Sequence, residues 1–245
     1  TPCGTLFPYT TLFRSGALSR RLYALLAANS MRDGVHLRLM VSRGLKSTPY
    51  QDPRVTVSPP TVVIIPEYKA PLPETAERGV TLFTVHVRRG YSDVQDPTLN
   101  THSKLNCITA CIQAAKAGCD EALMLDPHGF VATCNSTHFF VVRRGELWTS
   151  SGNYCLDGVT RRRVLQIAAA EGLVTRERNF TLTDVYNAEE AFVTGTFAGL
   201  VPVREVDGRR IGGGAGGPLL ARLQAAYRRC VADYIAGPGR GHPRD

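Results

Sequence analysis

One lysine stands where the sequence most readily supports chemistry. The chain has only four lysines, against 25 arginines. Lys46 and Lys69 lie in turn-rich, polar surroundings and Lys116 lies near a helix end, whereas Lys104 directly precedes the apolar positions of a predicted helix. We expect an amine held at the edge of a core, desolvated enough to form a Schiff base. The alternative is a long side chain that extends into solvent.

Two glycine–threonine segments have the composition of phosphate sites. Gly158, Val159 and Thr160 stand at a predicted helix start, and Gly195 and Thr196 stand at a strand-to-turn junction. Free backbone N–H groups and a hydroxyl at such positions form an anion site. Each segment alone is more typical of an ordinary cap or turn. Together with a nucleophilic lysine they suggest pyridoxal 5′-phosphate, which needs an amine for its aldehyde and donors for its phosphate.

Hydrophobic periodicity predicts the elements that position these residues. Leu105, Ile108, Ile112 and Ala115 have three-four spacing, which predicts a helix over 105–117 packed on that face. Strands are predicted at 80–87, 121–125, 130–133, 138–142, 146–149, 191–194 and 200–206, and further helices at 160–171 and 218–235. Thr160 is expected to be the N-cap of the helix at 160–171, and Gly172 its C′ residue.

The first part of the chain predicts a smaller unit. A helix at 18–29 precedes an alternating strand at 36–41 and an apolar strand at 62–65, which we expect to be central. Residues 66–73 read as a linker, so 16–69 is predicted to be the remnant of a small N-terminal domain, 70–236 a larger cofactor-binding domain and 237–245 a disordered tail.

The first 15 residues are predicted to be an artefact. The segment TLFPYTTLFRS is what one reading frame of a common short-read sequencing adapter encodes. We therefore expect residues 1–15 to come from a metagenomic or draft assembly, with the natural N-terminus missing.

Composition excludes several classes of protein. The chain is 43% apolar and 20% charged, without an apolar run of 18 residues or a recognisable signal peptide, so we expect a globular cytoplasmic protein and no membrane partner. Its seven cysteines form no CxxC pair, which argues against a disulfide framework and a metal site. The net charge of +8 is spread over short basic pairs, so we expect no nucleic-acid partner.

The chain resembles the class IV (fold type IV) pyridoxal-phosphate aminotransferases, which include branched-chain and D-amino-acid aminotransferases and aminodeoxychorismate lyase. The segments that carry the resemblance are GCDEALMLDPHGFVATCNSTHFFVV, GELWTS, LDGVTRRRVLQIA, EAFVTGTFAGLVPVREVDGR and GGPLLARL. The resemblance implies a mixed α/β (α+β) fold, with a small N-terminal domain, a larger C-terminal pseudo-barrel domain and the cofactor between them. It runs from about Leu39 to Tyr227.

The resemblance also implies roles for individual residues. Lys104 would hold pyridoxal 5′-phosphate through its amine, and the cofactor contacts would come from Thr133, Val159, Thr160, Gly195 and Thr196. The family has a glutamate at the position of Thr133, which keeps the pyridine nitrogen protonated; a hydroxyl cannot, so the cofactor should be a weaker electron sink here.

Two further departures concern the lysine and the substrate. An ungapped comparison places Asn100 at the family's lysine position and Lys104 near a family tyrosine. The family's early phosphate-binding arginine belongs to the segment that we expect to be missing, and the carboxylate-binding arginine of the D-amino-acid aminotransferases has no clear counterpart. Arg43, with Phe197 and Ala198, is the candidate for substrate contact.

The resemblance implies a transaminase that moves an amino group between an amino acid or amine and a 2-oxo acid. Two alternatives stay open at this point: a lyase similar to aminodeoxychorismate lyase, and a catalytically silent homologue that binds only the cofactor or a partner. The family is typically homodimeric, so a homodimer is expected.

Overall fold

The structure is a computed structural model that describes residues 15–71, 73–214 and 216–236. It contains two compact units, one formed by the described residues up to 70 together with 235–236, and one formed by 71–234. The predictions for residues 1–14 and for the tail from 237 lie outside the described residues. The predicted domain boundaries stay a prediction, because compactness alone does not show that either part folds by itself.

The first unit contains one helix and one β-ribbon. Helix α1 (Ser15–Ala28) packs against strand β2 (Val62–Tyr68), which pairs antiparallel with β1 (Val35–Val41). The prediction of a central strand at 62–65 is wrong, since the described residues give it β1 as its only partner, and Val63 and Ile65 are exposed. The run is apolar throughout, yet its burial alternates with the pleat, which an unbroken apolar run does not reveal.

The second unit is a large mixed sheet with helices around it. Its elements in chain order are α2 (Pro73–Arg78), β3 (Val80–Thr84), α3 (Leu105–Lys116), β4 (Glu121–Leu125), β5 (Val131–Cys134), β6 (His138–Arg143), β7 (Glu146–Thr149), α4 (Val159–Ala170), β8 (Thr175–Glu177), α5 (Leu182–Tyr186), β9 (Glu190–Gly195), β10 (Gly199–Val206), β11 (Arg209–Arg210) and α6 (Pro218–Ala236). Most predicted strands and helices are confirmed within one or two residues. Helices α2 and α5 and strands β8 and β11 were missed, because none is longer than six residues and short elements carry little periodicity.

Strand order within the sheet is β5-β4-β3-β10-β9-β6-β7-β8, with β11 paired to β10. Strand β3 is parallel to both β4 and β10, and β7 is parallel to β8; the other pairs are antiparallel. A mixed α/β architecture is therefore confirmed. Among the described helices, none is both long enough and apolar enough to cross a membrane.

The two faces of the central strands bury two different cores. In β6, Phe139 and Val141 belong to one apolar cluster, while Phe140 and Val142 belong to another, which includes residues of α4 and α6. Phe140 stacks on Phe192 of β9 with ring centroids 5.0 Å apart. The alternation of β6 thus fixes which side of the sheet α4 and α6 cover.

A carboxylate from β9 holds the start of α6. Glu190 is buried, and it accepts hydrogen bonds from the backbone N–H groups of Leu219 (3.0 Å) and Leu220 (2.8 Å). These are first-turn donors that the helix itself cannot satisfy. A Cβ at Gly217 would lie 2.5 Å from this carboxylate, so the cap requires glycine there.

Helix α3 packs on a different face from the one predicted. Its buried residues are Ala110 and Ala114, whereas Leu105, Ile108 and Ile112 are 75%, 53% and 51% exposed. The alanines meet Val85, Ala122 and Met124, and their small side chains allow the helix to approach the sheet closely. Periodicity located the helix, but it predicted burial of the face with the bulkier apolar residues. We refer to Leu105, Ile108 and Ile112 below as the α3 stripe.

The cap of α4 also differs from the prediction. Gly158 is the N-cap, no side chain caps the helix, and Thr160 is a buried helical residue. Gly172 follows the C-cap Glu171 with φ +69°, so the predicted C′ glycine is confirmed. The uncapped start of α4 leaves backbone donors that a bound anion can satisfy.

Candidate functional site

A pocket of about 680 Å³ lies within the second unit, between the 89–104 loop, α3 and the turn that joins β5 to β6. Its lining includes Arg89, Asn100, Lys104, Thr133 and His138. Lys104, which was predicted from its place before a helix, and Thr133, which the family resemblance implied, therefore line the same cavity. Within the described parts of the chain, no group of three or more His, Cys, Asp or Glu side chains could hold a metal ion.

Lys104 is the N-cap residue of α3, and its amine reaches back along the chain. Its Nζ donates a hydrogen bond of 2.9 Å to Oδ1 of Asn100. The expectation of a desolvated amine at the edge of a core is wrong for this structure, since Lys104 is exposed. The reason is the α3 stripe: the apolar face beside Lys104 is itself exposed, so nothing shields the amine.

The contact between Lys104 and Asn100 bears on the shifted register. Asn100 occupies the position at which the family resemblance places the lysine, four residues before Lys104. The hydrogen bond brings the Lys104 amine to within 2.9 Å of the Asn100 side chain. A lysine side chain therefore spans the offset between the two positions, and both lie on the lining of the same pocket.

Thr133 is 5% exposed and lies on β5, at the side of the pocket formed by the sheet. Its Oγ1 donates a hydrogen bond of 2.9 Å to the carbonyl of Thr137. Because the hydroxyl proton is used in this bond, the group is left as an acceptor toward other partners. An uncharged acceptor cannot hold a proton on a neighbouring nitrogen as a carboxylate does.

The turn beyond Thr133 is held by a carboxylate that sequence reasoning missed. Buried Glu121 accepts hydrogen bonds from the Ser136 backbone N–H and hydroxyl (2.9 and 2.8 Å) and from the Thr137 hydroxyl (2.9 Å). Asn135 accepts a bond of 2.7 Å from the Ala122 N–H. Burial raises the pKa of Glu121, and the bonds from Ser136 and Thr137 oppose that shift.

His138 was also missed, and it joins the pocket to the start of α4. Its ring lies so close to Gly158 that a Cβ there would be 2.3 Å from Cε1 and 2.7 Å from Nδ1. Its Nε2 lies 2.6 Å from the carbonyl oxygen of Leu156. A single histidine on a strand offers no spacing pattern to read, so only the fold could reveal its position.

The predicted phosphate residues lie outside the lining of the pocket but next to His138. Val159 is exposed at the first position of α4, and Thr160 is buried behind it. Gly195 ends β9, with Thr196 in the following turn, and a Cβ on Gly195 would lie 3.5 Å from the Thr137 methyl group. Both segments therefore border residues that line the pocket.

Thr194 adds an unsatisfied hydroxyl at this place. It pairs with His138 across β9 and β6, and it is 1% exposed. Among the described residues, its Oγ1 has no hydrogen-bond partner. Buried hydroxyl groups are rarely left without a partner, so this one points to a ligand or water at the start of α4.

The candidate substrate residues are spread more widely. Phe197 and Ala198 lie in the turn after β9, and neither lines the pocket. Arg43 follows β1 in the first unit and is exposed.

Arg89, which was not predicted, does line the pocket. It donates hydrogen bonds to the Tyr154 carbonyl (3.1 Å) and the Asn106 side chain (3.2 Å). Arg89 has no carboxylate partner among the described residues.

We predict that replacing Glu121→Gln changes the pH dependence of stability. A carboxylate whose pKa is raised in the folded state contributes stability that is complete below its unfolded pKa, near 4.5, and is lost as pH rises through the folded pKa. The free energy of unfolding of the variant, minus that of the parent, should therefore increase between pH 4.5 and pH 7. Urea unfolding at several pH values measures this difference. Glu77→Gln is the exposed control, and a flat or falling curve for Glu121→Gln would contradict the interpretation.

Several known proteins are similar to this chain in sequence. Residues 12–206 match the family described as Amino-transferase class IV. Branched-chain-amino-acid aminotransferase-like protein 2 of Arabidopsis thaliana is 34% identical over 212 residues, which are 86% of this chain and 38% of the relative. The putative branched-chain-amino-acid aminotransferase of Methanocaldococcus jannaschii is 38% identical over 204 residues, covering 83% of this chain and 69% of the relative.

Two solved structures agree with these sequence matches. The branched-chain aminotransferase of the thermophilic archaeon Thermoproteus uzoniensis, with norvaline, superposes with a TM-score of 0.77 at 30% identity, covering 88% of this chain and 70% of that chain. The branched-chain amino acid aminotransferase of Thermobaculum terrenum in its PLP form superposes with a TM-score of 0.75 at 28% identity, covering 85% of this chain and 67% of that chain.

The matches cover unequal shares of the related proteins. This chain spans well under half the length of the plant relative, and 54% of a Pseudomonas aeruginosa branched-chain-amino-acid aminotransferase. The family model nevertheless matches most of the chain, and the solved structures share its architecture. The predicted fold type is confirmed, and the chain belongs to the class IV aminotransferases.

Proposed function

We propose that this protein is a pyridoxal-phosphate-dependent aminotransferase, which moves an amino group between an amino acid or amine and a 2-oxo acid. The observation that carries the proposal is the meeting of Lys104 and Thr133 in one pocket, with His138 leading from that pocket to the uncapped start of α4. The Thermobaculum terrenum relative is in its PLP form and the Thermoproteus uzoniensis relative is with the amino acid norvaline, which supports the same class of cofactor and substrate.

The residues present fit such a cofactor. The uncapped start of α4 offers backbone donors, and the buried Thr194 hydroxyl beside it has no partner among the described residues. Together these features form a site for a phosphate group. Val159, Thr160, Gly195 and Thr196 would hold the phosphate, Thr133 would face the ring, and Lys104 would supply the amine for the aldehyde.

The chemistry assigns separate tasks to these residues. When bound, pyridoxal phosphate supplies an electron sink that makes the Cα–H bond of an amino acid breakable. The Lys104 amine would accept the proton from the substrate Cα and later return it as a general acid. Asn100 orients that amine through the 2.9 Å hydrogen bond. Arg89 places a positive charge in the pocket, which suits a substrate carboxylate.

With Thr133 facing the ring, the cofactor would be a weaker electron sink than it would be with a carboxylate at that position. A lyase, or a silent homologue that binds cofactor without turnover, would use the same scaffold. Absorbance distinguishes these outcomes from transamination: an aminotransferase shows a near-visible cofactor band that shifts when an amino donor is added and returns with a 2-oxo acid. A lyase releases its product without needing the 2-oxo acid, and the silent protein shows no shift.

The proposal includes a homodimer. The α3 stripe exposes three large apolar side chains on one helix face, and Ile108 also lines the pocket. Exposed apolar surface of this kind is typical of protein interfaces. A second copy of the chain seated on the stripe would remove that surface from water and wall the pocket at the same time.

We predict that Lys104 carries the cofactor. Reduction with borohydride followed by peptide mapping should place a pyridoxyl group on Lys104, and Lys104→Ala should lose both the absorbance band and turnover, because no other described amine lines the pocket. Lys116→Ala, at the far end of α3, is the matched control and should keep both. A pyridoxyl group on Lys46, Lys69 or Lys116 would disprove the assignment.

We predict that Thr133→Glu accelerates the chemical step. A carboxylate facing the pyridine nitrogen would hold its proton, and a charged hydrogen bond of this kind is worth about 1.5–3 kcal/mol, so the single-turnover rate should rise by about tenfold or more. Thr133→Gln has a similar size without the charge and should not accelerate the reaction. If the rate and the cofactor absorbance of Thr133→Glu both match those of the parent, Thr133 does not face the ring.

We predict that Ile112→Lys weakens the dimer. A lysine in the centre of an apolar interface loses its hydration without gaining a partner, so the dimer should dissociate at protein concentrations where the parent stays dimeric. Multi-angle light scattering over a dilution series measures this change. Val231→Lys, a similarly exposed apolar residue on α6, is the control and should leave the mass unchanged. A monomeric parent would count against the homodimer.

A further inference from the structure

His138 lies where three parts of the fold meet. It begins β6, it pairs with Thr194 of β9, and its ring packs against Gly158 at the start of α4. The distance of 2.6 Å between Nε2 and the Leu156 carbonyl oxygen fixes the tautomer, because a carbonyl only accepts hydrogen bonds. Nε2 therefore carries a proton, and in the neutral ring Nδ1 is the acceptor.

The His138 ring packs against the N-cap residue of α4. A Cβ on Gly158 would lie 2.3 Å from Cε1 of His138, so the glycine backbone lies directly against the imidazole edge. Two residues earlier, the Leu156 carbonyl is fixed by Nε2. One side chain thus holds both the segment that leads into α4 and its N-cap residue, whose neighbouring N–H groups face the proposed phosphate.

The charges around His138 oppose its protonation. Burial lowers the pKa of His138, the hydrogen bond to Leu156 acts in the opposite direction, Arg161 of α4 and Arg89 lower the pKa further, and Asp157 raises it. The N-terminal end of α4 adds positive potential at the same place. A phosphate at this point would oppose all the cationic influences at once.

We propose that His138 is a positioning residue for the phosphate of the cofactor: it fixes the 156–158 segment in front of α4, and it gains a proton more readily when the phosphate is bound. This inference rests on the proposed function, since it concerns the same cofactor. It adds a residue that the family resemblance did not indicate. The unpartnered Thr194 hydroxyl, paired with His138 in the sheet, supports a ligand at this place independently of the helix.

Linkage gives the proposal a direction in pH. If bound phosphate raises the pKa of His138, protonation of His138 must strengthen phosphate binding by the same factor. The pKa of His138 in the unliganded protein is lowered by burial, so affinity should rise as pH falls through the pKa that His138 has in the liganded protein. The phosphate itself titrates near pH 6, so the effect of His138 must be read as a difference between proteins that bind the same ligand.

The test compares two aldehydes on four proteins. Apo protein is titrated with pyridoxal 5′-phosphate and with pyridoxal, which lacks the phosphate, from pH 5.5 to pH 8. The proteins are the parent, His138→Gln, which keeps an N–H near the Nε2 position without titrating, His138→Leu, which has no donor, and His86→Leu, an exposed histidine outside the pocket. Hydrogen exchange of the amides at 156–160 reports the position of the segment without cofactor or turnover.

We expect His138→Leu to lower the affinity for pyridoxal phosphate by about tenfold at pH 8 and to speed amide exchange at 156–160. The affinity for pyridoxal should change by less than about twofold. His138→Gln should bind close to the parent at pH 8 and lack the parent's gain in affinity at acid pH. His86→Leu should match the parent throughout.

The inference would be overturned if His138→Leu lost the same factor of affinity for both aldehydes, or if binding and amide exchange were unchanged in both His138 variants. Either result would leave the proposed function intact. If His138→Leu does not fold, His138→Gln still decides the matter through its pH profile, since a profile parallel to that of the parent contradicts the proposal. If the parent binds neither aldehyde, the proposed function fails and this inference fails with it.

Discussion

The register between β6 and β9 is the constraint on which the rest of the second unit depends. His138 faces Thr194, Phe140 faces Phe192 and Val142 faces Glu190 across this pair. These residues all point to the side of the sheet that α4 and α6 cover, whereas Phe139 and Val141 point to the other core. A slip by one residue would exchange the two faces and move the histidine and threonine away from α4. The apolar pairs farther along the strands therefore keep the polar pair in place.

The two ends of the site are held by different means. At the proposed phosphate end, the His138 ring packs directly against the start of α4, and at the proposed ring end the turn after Thr133 is fixed by three hydrogen bonds to Glu121. At the amine end, Lys104 stands in an exposed position after a long loop and is oriented by one bond to Asn100. The rigid end would locate the cofactor, and the open end would admit the substrate.

Much of the fold was readable from the sequence because buried strands and turn glycines leave clear patterns. Strand β4 was predicted at its observed bounds, Glu121–Leu125, since its last four residues are a short apolar run that ends at a turn. The packing face of α3 could not be predicted, because the face that is buried carries two alanines, while the face with the larger apolar residues is exposed. The same error led to the expectation that Lys104 lies at the edge of a core, whereas it is exposed. His138 and Glu121 act through contacts with residues distant in the chain or on other elements, and no local spacing encodes such contacts.

The carboxylate of Glu190 has a consequence for how the molecule opens. It lies at the beginning of β9, the strand that ends at Gly195, and both of its oxygens are satisfied by N–H groups of α6. If α6 detached alone, the Glu190 carboxylate would lose both of its N–H donors at the same time as the apolar contacts of α6 were lost. Helix α6 and the strand leading to Thr194 are thereby one cooperative unit, so a truncation or proteolytic cut within α6 would disturb the proposed phosphate end of the site from a position outside it.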